Sequence, residues 1–270
     1  NKNILKGHEL KYANQAEKCK TLAEEERKLT AQLAEKENRK KLLEDMEKSH
    51  EGFSGSVHRV INDAKRGVLQ GIHGTVASLI AVQKEYAVAV ETALGAGIQN
   101  IITETEADAK NAIFHLKNQR AGRATFLPVQ TIRGRKLEES NIKKGDGYLG
   151  IASELIGYEP KYKDVITFLL GKTVIADSLD NGSAIAKKNG YAFRVVTTDG
   201  QVINAGGSLT GGSAAKNVGI LSRKNEIATL GEQAADLRSR LEKTLSARKE
   251  AEGEENRLAI LANSVRDEIT

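Results

Sequence analysis

The sequence has little of several residue types that mark particular classes of protein. In 270 residues it contains one cysteine, two prolines and no tryptophan, and aromatic side chains make up 4%. The single cysteine, Cys19, excludes an intrachain disulfide and fits a reducing cytosol. The longest apolar runs, such as Val88–Val90, are far shorter than the roughly 20 residues of a membrane span. We therefore predict a cytoplasmic protein with no membrane segment.

Charged residues are plentiful, at 29% of the chain, but the formal net charge is only +5. Residues 1–51 carry 12 basic and 11 acidic side chains, and residues 219–270 carry 9 and 10. Residues 52–218 carry 20 basic and 15 acidic side chains, so the excess positive charge belongs to the central part. The chain starts at Asn1 in a polar stretch without a signal-like apolar core, and we expect it to be a segment of a longer protein.

The two ends of the chain, residues 1–51 and 219–270, are predicted to be coiled-coil strands. Apolar residues occupy seven of twelve seam positions in the first and ten of thirteen in the second, at alternating spacings of three and four. Roughly 50 residues of helix would be about 75 Å long. The matching lengths favour an intramolecular antiparallel pair, with pairing to other chains as the alternative. The seam positions are Leu5, His8, Tyr12, Gln15, Cys19, Leu22, Glu26, Leu29, Leu33, Lys36, Lys40 and Leu43, then Ile227, Leu230, Ala234, Leu237, Leu241, Thr244, Arg248, Ala251, Glu255, Leu258, Ala262, Val265 and Ile269.

Residues 52–218 predict a mixed α/β globular domain. The order helix, Leu-Gly, strand, helix, strand occurs twice, and Leu94-Gly95 and Leu170-Gly171 lie 76 residues apart. We therefore predict two pseudo-symmetric subdomains, about 67–128 and 150–213, with both glycines in a left-handed conformation at a helix end. The predicted helices are 57–66, 83–94, 105–119, 161–170 and 180–188, and the predicted strands are 98–103, 123–127, 172–177, 192–197 and 201–204, the last two joined by a hairpin at Asp199-Gly200.

Two motifs resemble nucleotide-binding sequences but lack their context. Gly171-Lys172-Thr173 has no glycine five positions earlier, as a phosphate loop needs, because residue 166 is isoleucine. Ser208–Ser213 resembles the signature of ABC-type ATPases, but a glycine-rich strand edge is the better interpretation. None of the five histidines pairs with cysteine or another histidine at metal-ligand spacing. The sequence therefore predicts no catalytic, metal or cofactor site.

A basic stretch is the stronger functional candidate. Eight cations fall within 28 residues, opposed only by Glu138 and Glu139, and interspersed glycines favour a loop. Such clusters attract phosphate backbones without reading sequence, while the alternative is a solvated loop that keeps the domain soluble. The residues alone leave both interpretations open. The eight cations are Lys117, Arg120, Arg123, Arg133, Arg135, Lys136, Lys143 and Lys144.

Seven short pieces of the central part, taken together, resemble a known family. They are Gly71–Ile80, Tyr86, Ala93–Gly95, Gln99–Ile102, Gly122–Pro128, Val196–Gly200 and Asn204–Ser213. In this order and between two coil strands, they resemble the hinge of structural maintenance of chromosomes (SMC) proteins. The resemblance covers Val60 to about Ile227 and extends to the flanking coils.

The resemblance implies a toroidal dimer that joins two long arms, each an intramolecular antiparallel coiled coil. In this family the arms end in ATPase heads, where ATP, Mg and kleisin-type partners bind, and the whole protein entraps chromosomal DNA. The segment is therefore expected to be no enzyme by itself and to hold no cofactor. The pattern resembles bacterial members, which implies a homodimer associated with the nucleoid.

The resemblance also implies roles for particular residues. Family glycines of the Gly-Gly-Ser-x-Thr-Gly-Gly segment lie at the dimer contact, which implies Gly206, Gly207, Gly211 and Gly212 here. A side chain at these positions would hold two strand backbones apart. The eight cations become the expected DNA contacts, weak and independent of sequence. The alternatives are a coiled-coil scaffold whose globular insert binds a protein partner without DNA, and an inserted enzyme domain.

Overall fold

The computed structural model describes residues 2–49, 51–212 and 219–268. It divides the chain into a coil unit of Asn1–Asp45 with Glu226–Thr270 and a central unit of Met46–Asn225. The predicted domain boundaries after residues 51 and 218 stay predictions. Three residues used in the predictions lie outside the described part: His50 among the histidines, Ser213 of the glycine-rich segment and Ile269 of the seam.

In the described residues, eight α-helices and ten strands follow one another along the chain. The helices are α1 (Lys2–Lys48), α2 (Gly55–Lys65), α3 (Val76–Leu79), α4 (Ala87–Leu94), α5 (Glu106–Asn118), α6 (Lys163–Leu170), α7 (Leu179–Lys188) and α8 (Ile220–Asp267). The strands are β1 (Ile72–Thr75), β2 (Ile80–Val82), β3 (Ile101–Thr103), β4 (Phe126–Pro128), β5 (Tyr148–Ile151), β6 (Ile156–Tyr158), β7 (Thr173–Ala176), β8 (Arg194–Thr197), β9 (Val202–Ile203) and β10 (Leu209–Thr210).

The coil unit is a pair of long helical segments, one from α1 and one from α8. Every described seam position of the α8 segment is buried or half-buried, and on α1 only Tyr12 is exposed. The predicted seam is thereby confirmed. The buried seam residues are Leu29 and Leu43 on α1, and Leu230, Ala234, Leu237, Thr244, Ala251, Leu258 and Ala262 on α8.

Cross-helix bonds in the coil unit show that the two segments are antiparallel. As the residue number rises along α1, the number of its partner on α8 falls. The polar contacts are Glu9–Arg266 at 2.9 Å, Gln15 Nε2 to the Ala251 carbonyl at 3.0 Å, Glu26–Arg248 at 2.6 Å, Glu37–Arg238 at 2.9 Å and Arg39–Glu226 at 2.9 Å.

The strands of the central unit form three sheets in the described residues. One has the order β1-β3-β4, the second β10-β9-β8-β7-β5, and the third is the ribbon β2-β6. The pairs β3–β4 and β7–β8 are parallel, and all other neighbours are antiparallel. The first sheet belongs to the first subdomain (β1 to β4) and the second sheet to the second subdomain (β5 to β10).

The two subdomains are an internal repeat, as predicted. Strands β1 and β2 and helix α4 begin 76 residues before β5, β6 and α6. The repeat extends to backbone detail, because the edge strand of each sheet has an irregularity next to a glycine, Gly74 (φ 144°) or Gly150 (φ 148°). In the ribbon, Ala81 pairs with Gly157, the residue 76 positions later. The pseudo-twofold axis therefore passes through the β2–β6 ribbon.

Three apolar clusters hold the central unit together. The largest lies between the subdomains and includes Val90 of α4 and Ile166 of α6. The second lies within the second subdomain around Ile185. The third joins α2 to the first subdomain through Val60 and Leu116. The subdomains therefore share one core and each has a further core of its own.

Each predicted helix and strand of the central unit overlaps an observed one, but some details differ. Residues Gly95–Gln99 form a 3-10 helix, so the strand predicted from residue 98 begins at Ile101. Gly95 has the expected positive φ of 49°, whereas Gly171 has φ −67°, and its predicted left-handed conformation is wrong. Four strands went unpredicted, namely β1, β2, β5 and β6, and each has at most four residues, whereas β10 lies in the segment interpreted as a glycine-rich strand edge.

Candidate functional site

Strand β10 is an uncovered edge of the five-stranded sheet. It pairs with β9 through Leu209–Ile203 and Thr210–Val202, and in the described residues no strand lies on its other side. Both of its residues are exposed, and the Leu209 side chain is 64% exposed. An edge with free main-chain groups and an exposed leucine is a template for pairing with another chain.

The turn between β9 and β10 explains the first two glycines of the predicted interface. The Gly206 N–H donates to the Tyr191 carbonyl at 2.9 Å, and the Gly207 N–H donates to the Asn204 carbonyl at 3.0 Å. Their φ values are 85° and 95°, a region that favours glycine. The chain's own turn therefore already requires glycine at these two positions.

The other two glycines, Gly211 and Gly212, follow β10, and the Gln201 side chain holds Gly212. The Gly212 N–H donates to Gln201 Oε1 at 2.9 Å, and Gln201 Nε2 donates to the Gly212 carbonyl at 3.2 Å. Gly212 has φ 138°, whereas Gly211 has no such requirement. An added Cβ would have open space at Gly206 and Gly212. All four glycines lie around β10, and their role in an interface stays a prediction.

The first three predicted DNA contacts lie together at the end of α5. Lys117, Arg120 and Arg123 are all exposed, and Arg120 has φ 52°. The Ser56 hydroxyl of α2 donates to the Arg123 carbonyl at 2.6 Å and fixes the loop before β4. Among the described residues none of the three forms a salt bridge, so their charges face solvent.

The other five predicted DNA contacts lie on the linker between the subdomains, residues 129–147. The linker packs on the second subdomain, because the Leu137 N–H donates to the Gly171 carbonyl at 2.8 Å and the Lys143 N–H to Asn189 Oδ1 at 2.9 Å. All five cations are exposed: Arg133, Arg135, Lys136, Lys143 and Lys144.

Two of these linker cations are paired with carboxylates. Lys136 forms an ion pair with Glu154, which raises the pKa of Lys136. Lys144 contacts Glu139 at 2.6 Å and lowers the pKa of that carboxyl. The eight cations thus form two groups on different elements, and in the described part of the chain no hydrogen bond or ion pair joins Lys117, Arg120 or Arg123 to the linker group.

The nucleotide-like motifs have no phosphate-loop geometry in the structure. Gly171 ends α6, Lys172 is exposed before β7, and Ile166 is buried inside the helix. Within residues 2–49, 51–212 and 219–268, no cluster of three or more metal-ligating side chains occurs. The same residues include no helix that is both long and apolar enough to cross a membrane.

A polar cluster in the first subdomain was missed by the sequence analysis. Asp63 of α2 is 2% exposed and lies 2.7 Å from His115 Nε2, 2.9 Å from Arg59 Nε and 3.5 Å from Arg66 Nη1. The hydrogen bond with His115, and next that with Arg59, lowers the pKa of Asp63 although burial opposes this shift. The residues at 63 and 115 are 52 positions apart, so no local pattern could have paired them.

The fold defines a class of protein: an α/β module made of an internal repeat, whose five-stranded sheet ends at the exposed strand β10. The family model of the SMC proteins' flexible hinge domain matches residues 69–186. Among curated proteins, the chromosome partition protein Smc of Halothermothrix orenii is 41% identical over 210 residues, 77% of this chain and 18% of that protein. The chain thus spans about a fifth of the length of the curated relatives it matches.

Solved structures give the same family. The Geobacillus stearothermophilus SMC hinge domain, crystallised as an asymmetric dimer, is 33% identical, with a TM-score of 0.82 over 91% of this chain and 98% of that one. The Pyrococcus furiosus SMC hinge domain is 31% identical, with a TM-score of 0.51 over 67% of this chain and 91% of that one. The chain belongs to the SMC hinge domain family.

Proposed function

We propose that this chain forms a homodimer through β10 and the glycine-rich turn around it, and so joins two coiled-coil arms. The observation that carries the proposal is the exposed edge strand with Leu209 at 64% exposure. A hinge relative of known structure, from Geobacillus stearothermophilus, is a dimer, which supports the same assembly here. A dimer would cover the main-chain groups that β10 leaves open.

The internal repeat offers a complementary edge for β10. Strand β4 ends the first sheet in the described residues, just as β10 ends the second. If β10 of one copy contacts β4 of the other, twofold symmetry makes the same contact occur twice. Strands β10 and β4 of each copy are then both covered in one closed dimer, which is the arrangement that we propose.

The decisive experiment is the solution mass of the 270-residue chain by light scattering across a wide dilution range. We expect a mass near twice 29.2 kDa for the native chain. Leu209→Glu buries a charge in the proposed interface and should weaken dimerisation by at least about 100-fold. The control is Leu179→Glu, a 41% exposed leucine at the start of α7, which should stay dimeric.

The outcomes distinguish the proposal from a scaffold that binds other proteins. A native chain that is monomeric at micromolar concentration contradicts the dimer and favours the scaffold. A Leu209→Glu variant with native dimer strength excludes β10 as the contact. Because Gly206, Gly207 and Gly212 have positive φ, substitutions there would also strain the fold. An added Cβ at Gly211 would collide with the Gln201 side chain, so Leu209 is the cleaner position to change.

We also propose weak, sequence-independent DNA contact by the exposed cations. All eight are exposed, and the three at the end of α5 carry no salt bridge among the described residues. The charge of Lys136 and Lys144 is partly neutralised by Glu154 and Glu139. We therefore expect Lys117, Arg120, Arg123 and Lys143 to contribute more than the two paired lysines.

The dependence of DNA affinity on salt tests this proposal. Each lost phosphate contact should reduce the slope of log affinity against log salt by about 0.9 for duplex DNA. Lys117→Gln with Arg120→Gln should flatten the slope, whereas Lys110→Gln, an exposed lysine paired with Glu106 on α5, is the control. An unchanged slope in the double variant would remove these residues from the DNA surface.

The role in the whole protein follows as a proposal. The curated relatives are named chromosome partition proteins, and this chain corresponds to a fraction of their length. We propose that the hinge joins arms that organise the chromosome in the nucleoid of the cytoplasm. ATP and Mg sites and kleisin-type partners are expected outside this segment, which we propose has no catalytic activity of its own.

A further inference from the structure

A cavity of about 330 Å³ lies in the central unit, where the last turn of α1 and the first turns of α8 meet α2 and β1. Its volume is at the lower end of the range for small-molecule pockets, about 300–1,000 Å³. Apolar contacts are available from Phe53, Ile61 and Ile220. The cavity is therefore large enough for a small organic molecule and apolar on part of its wall.

The charged side chains that line the cavity are mostly cationic. Lys65, Arg223 and Lys224 carry positive charge, and Glu47 is the carboxylate among the lining residues. Lys65 and Lys224 are exposed, whereas Arg223 is only 6% exposed. Arg223 is thus a deep cation, and the two lysines provide positive charge nearer to solvent. This distribution favours an anion.

The Arg223 side chain has an unmet hydrogen-bonding group. Its Nε is buried and, among the residues that the structure describes, has no hydrogen-bond partner. A buried charged group that lacks partners is strongly unfavourable, so such groups in native proteins require an explanation. The backbone at Gly52 lies close by, since a Cβ there would be 3.8 Å from Arg223 Nη2. An anion in the cavity would supply the missing partner.

The start of α8 does not itself provide the anion site. Glu91 already accepts hydrogen bonds from the Ile220 N–H at 2.7 Å and the Leu221 N–H at 3.3 Å. The first main-chain donors of this helix are therefore occupied by a carboxylate of the same chain. The unpartnered donor that remains is on Arg223, inside the cavity.

We propose that this cavity binds a small organic anion, with its carboxylate or phosphate on the Arg223 guanidinium and its apolar body against Phe53 and Ile220. Lys224 and Lys65 add charge attraction at the entrance.

Titration of the 270-residue chain with the fluorescent anion 8-anilinonaphthalene-1-sulfonate tests the proposal. We expect saturable binding of one probe per chain, displaced by benzoate or inorganic phosphate, and the more effective competitor identifies the acid group. Arg223→Met should weaken probe binding at least about tenfold and Lys224→Gln about threefold. Arg240→Gln, an exposed arginine further along α8, is the matched control and should leave binding unchanged.

Thermal stability separates a binding role from a structural one. Because Arg223→Met removes a buried cationic side chain whose Nε has no partner among the described residues, the variant without ligand should melt at or above the native temperature. A lower melting temperature would show that Arg223 stabilises the fold and would overturn the proposal. Probe binding that is unchanged in both Arg223→Met and Lys224→Gln would overturn it too. If DNA displaced the probe and neither benzoate nor phosphate did, the cations that line the cavity would instead be a nucleic-acid site.

Discussion

The first and second subdomains have the same order of core elements, but different elements cover their outer surfaces. In the first, α2 packs over α5 and buries Val60 against Leu116. In the second, no helix takes the place of α2 among the described residues; Ile142 of the linker joins the core instead. The second subdomain also adds β9 and β10 beyond β8, whereas the first sheet ends at β4.

This difference shows where an internal repeat can diverge. The residues at the pseudo-twofold axis, in the β2–β6 ribbon and between α4 and α6, keep matching positions because each half packs against the other. The outer elements face solvent and carry no such constraint. Divergence there leaves the short exposed edge β10 on the second subdomain, a surface that a second copy can cover.

The largest loss of stability that we expect is at Gly171, and Gly95 is the equivalent position in the first subdomain. A Cβ at Gly171 would collide with the Thr167 carbonyl oxygen and lie 2.8 Å from that of Arg135, both backbone atoms. We expect Gly171→Ala to lower the free energy of unfolding by about 3 kcal/mol, because backbone must move. Urea denaturation measures the loss.

Gly95 has open space but a φ of 49°. We expect Gly95→Ala to cost about 1.5 kcal/mol, because the cost comes from backbone conformation alone. Each of the two variants, Gly171→Ala and Gly95→Ala, serves as the control for the other. A larger loss at Gly95 than at Gly171 would contradict the close-packing explanation.

The second prediction concerns helix α2, which packs over α5 of the first subdomain. Asp63→Asn removes the charge that His115 and Arg59 contact and should cost about 2 kcal/mol at pH 7. Asp180→Asn, an exposed acid in the first turn of α7, is the control in the second subdomain and should change stability little. Denaturant titration at several pH values measures both.

The pH dependence of this effect has a definite sign. The pKa of Asp63 is lower in the folded protein than its ordinary value of 3.8. Its stabilising contribution is therefore complete above about pH 4 and is lost as the pH falls further. We expect the native chain to lose this contribution at acid pH and the Asp63→Asn variant to lose less. If the free energy of unfolding changed with pH in the same way for the native chain and for Asp63→Asn, Asp63 would not be the group responsible.

The smallest expected difference is between the two helix caps. Thr105 and Asp108 form a capping box at α5, with main-chain bonds of 3.0 and 3.1 Å. Ser178 caps α7 with a single, longer contact of 3.4 Å to the Asn181 N–H. We expect Thr105→Ala to cost about 1.5 kcal/mol and Ser178→Ala about 0.5 kcal/mol in thermal or urea unfolding. Equal losses would show that the capping box adds nothing.

Much of the helical structure could be predicted because its signals are local. The 3–4 spacing of apolar residues identified the seam of α1 and α8, and the Leu-Gly pairs located the ends of α4 and α6. The glycine-rich segment indicated an edge before its strand was known. In contrast, β1 and β5 contain an interior glycine and only four residues, so they have no alternating pattern to detect.

Sequence by itself determined the coil–globule–coil order, the period of the seam and the existence of the repeat, since each depends on spacing along the chain. Tertiary structure decided which edge stays open at β10, how Asp63 meets His115, why Gly171 must be glycine and where Arg223 lines a cavity. The Asp63–His115 bond, the approach of Arg135 to Gly171 and the cavity depend on residues far apart in the chain. Folding brings them together, and no local pattern encodes them.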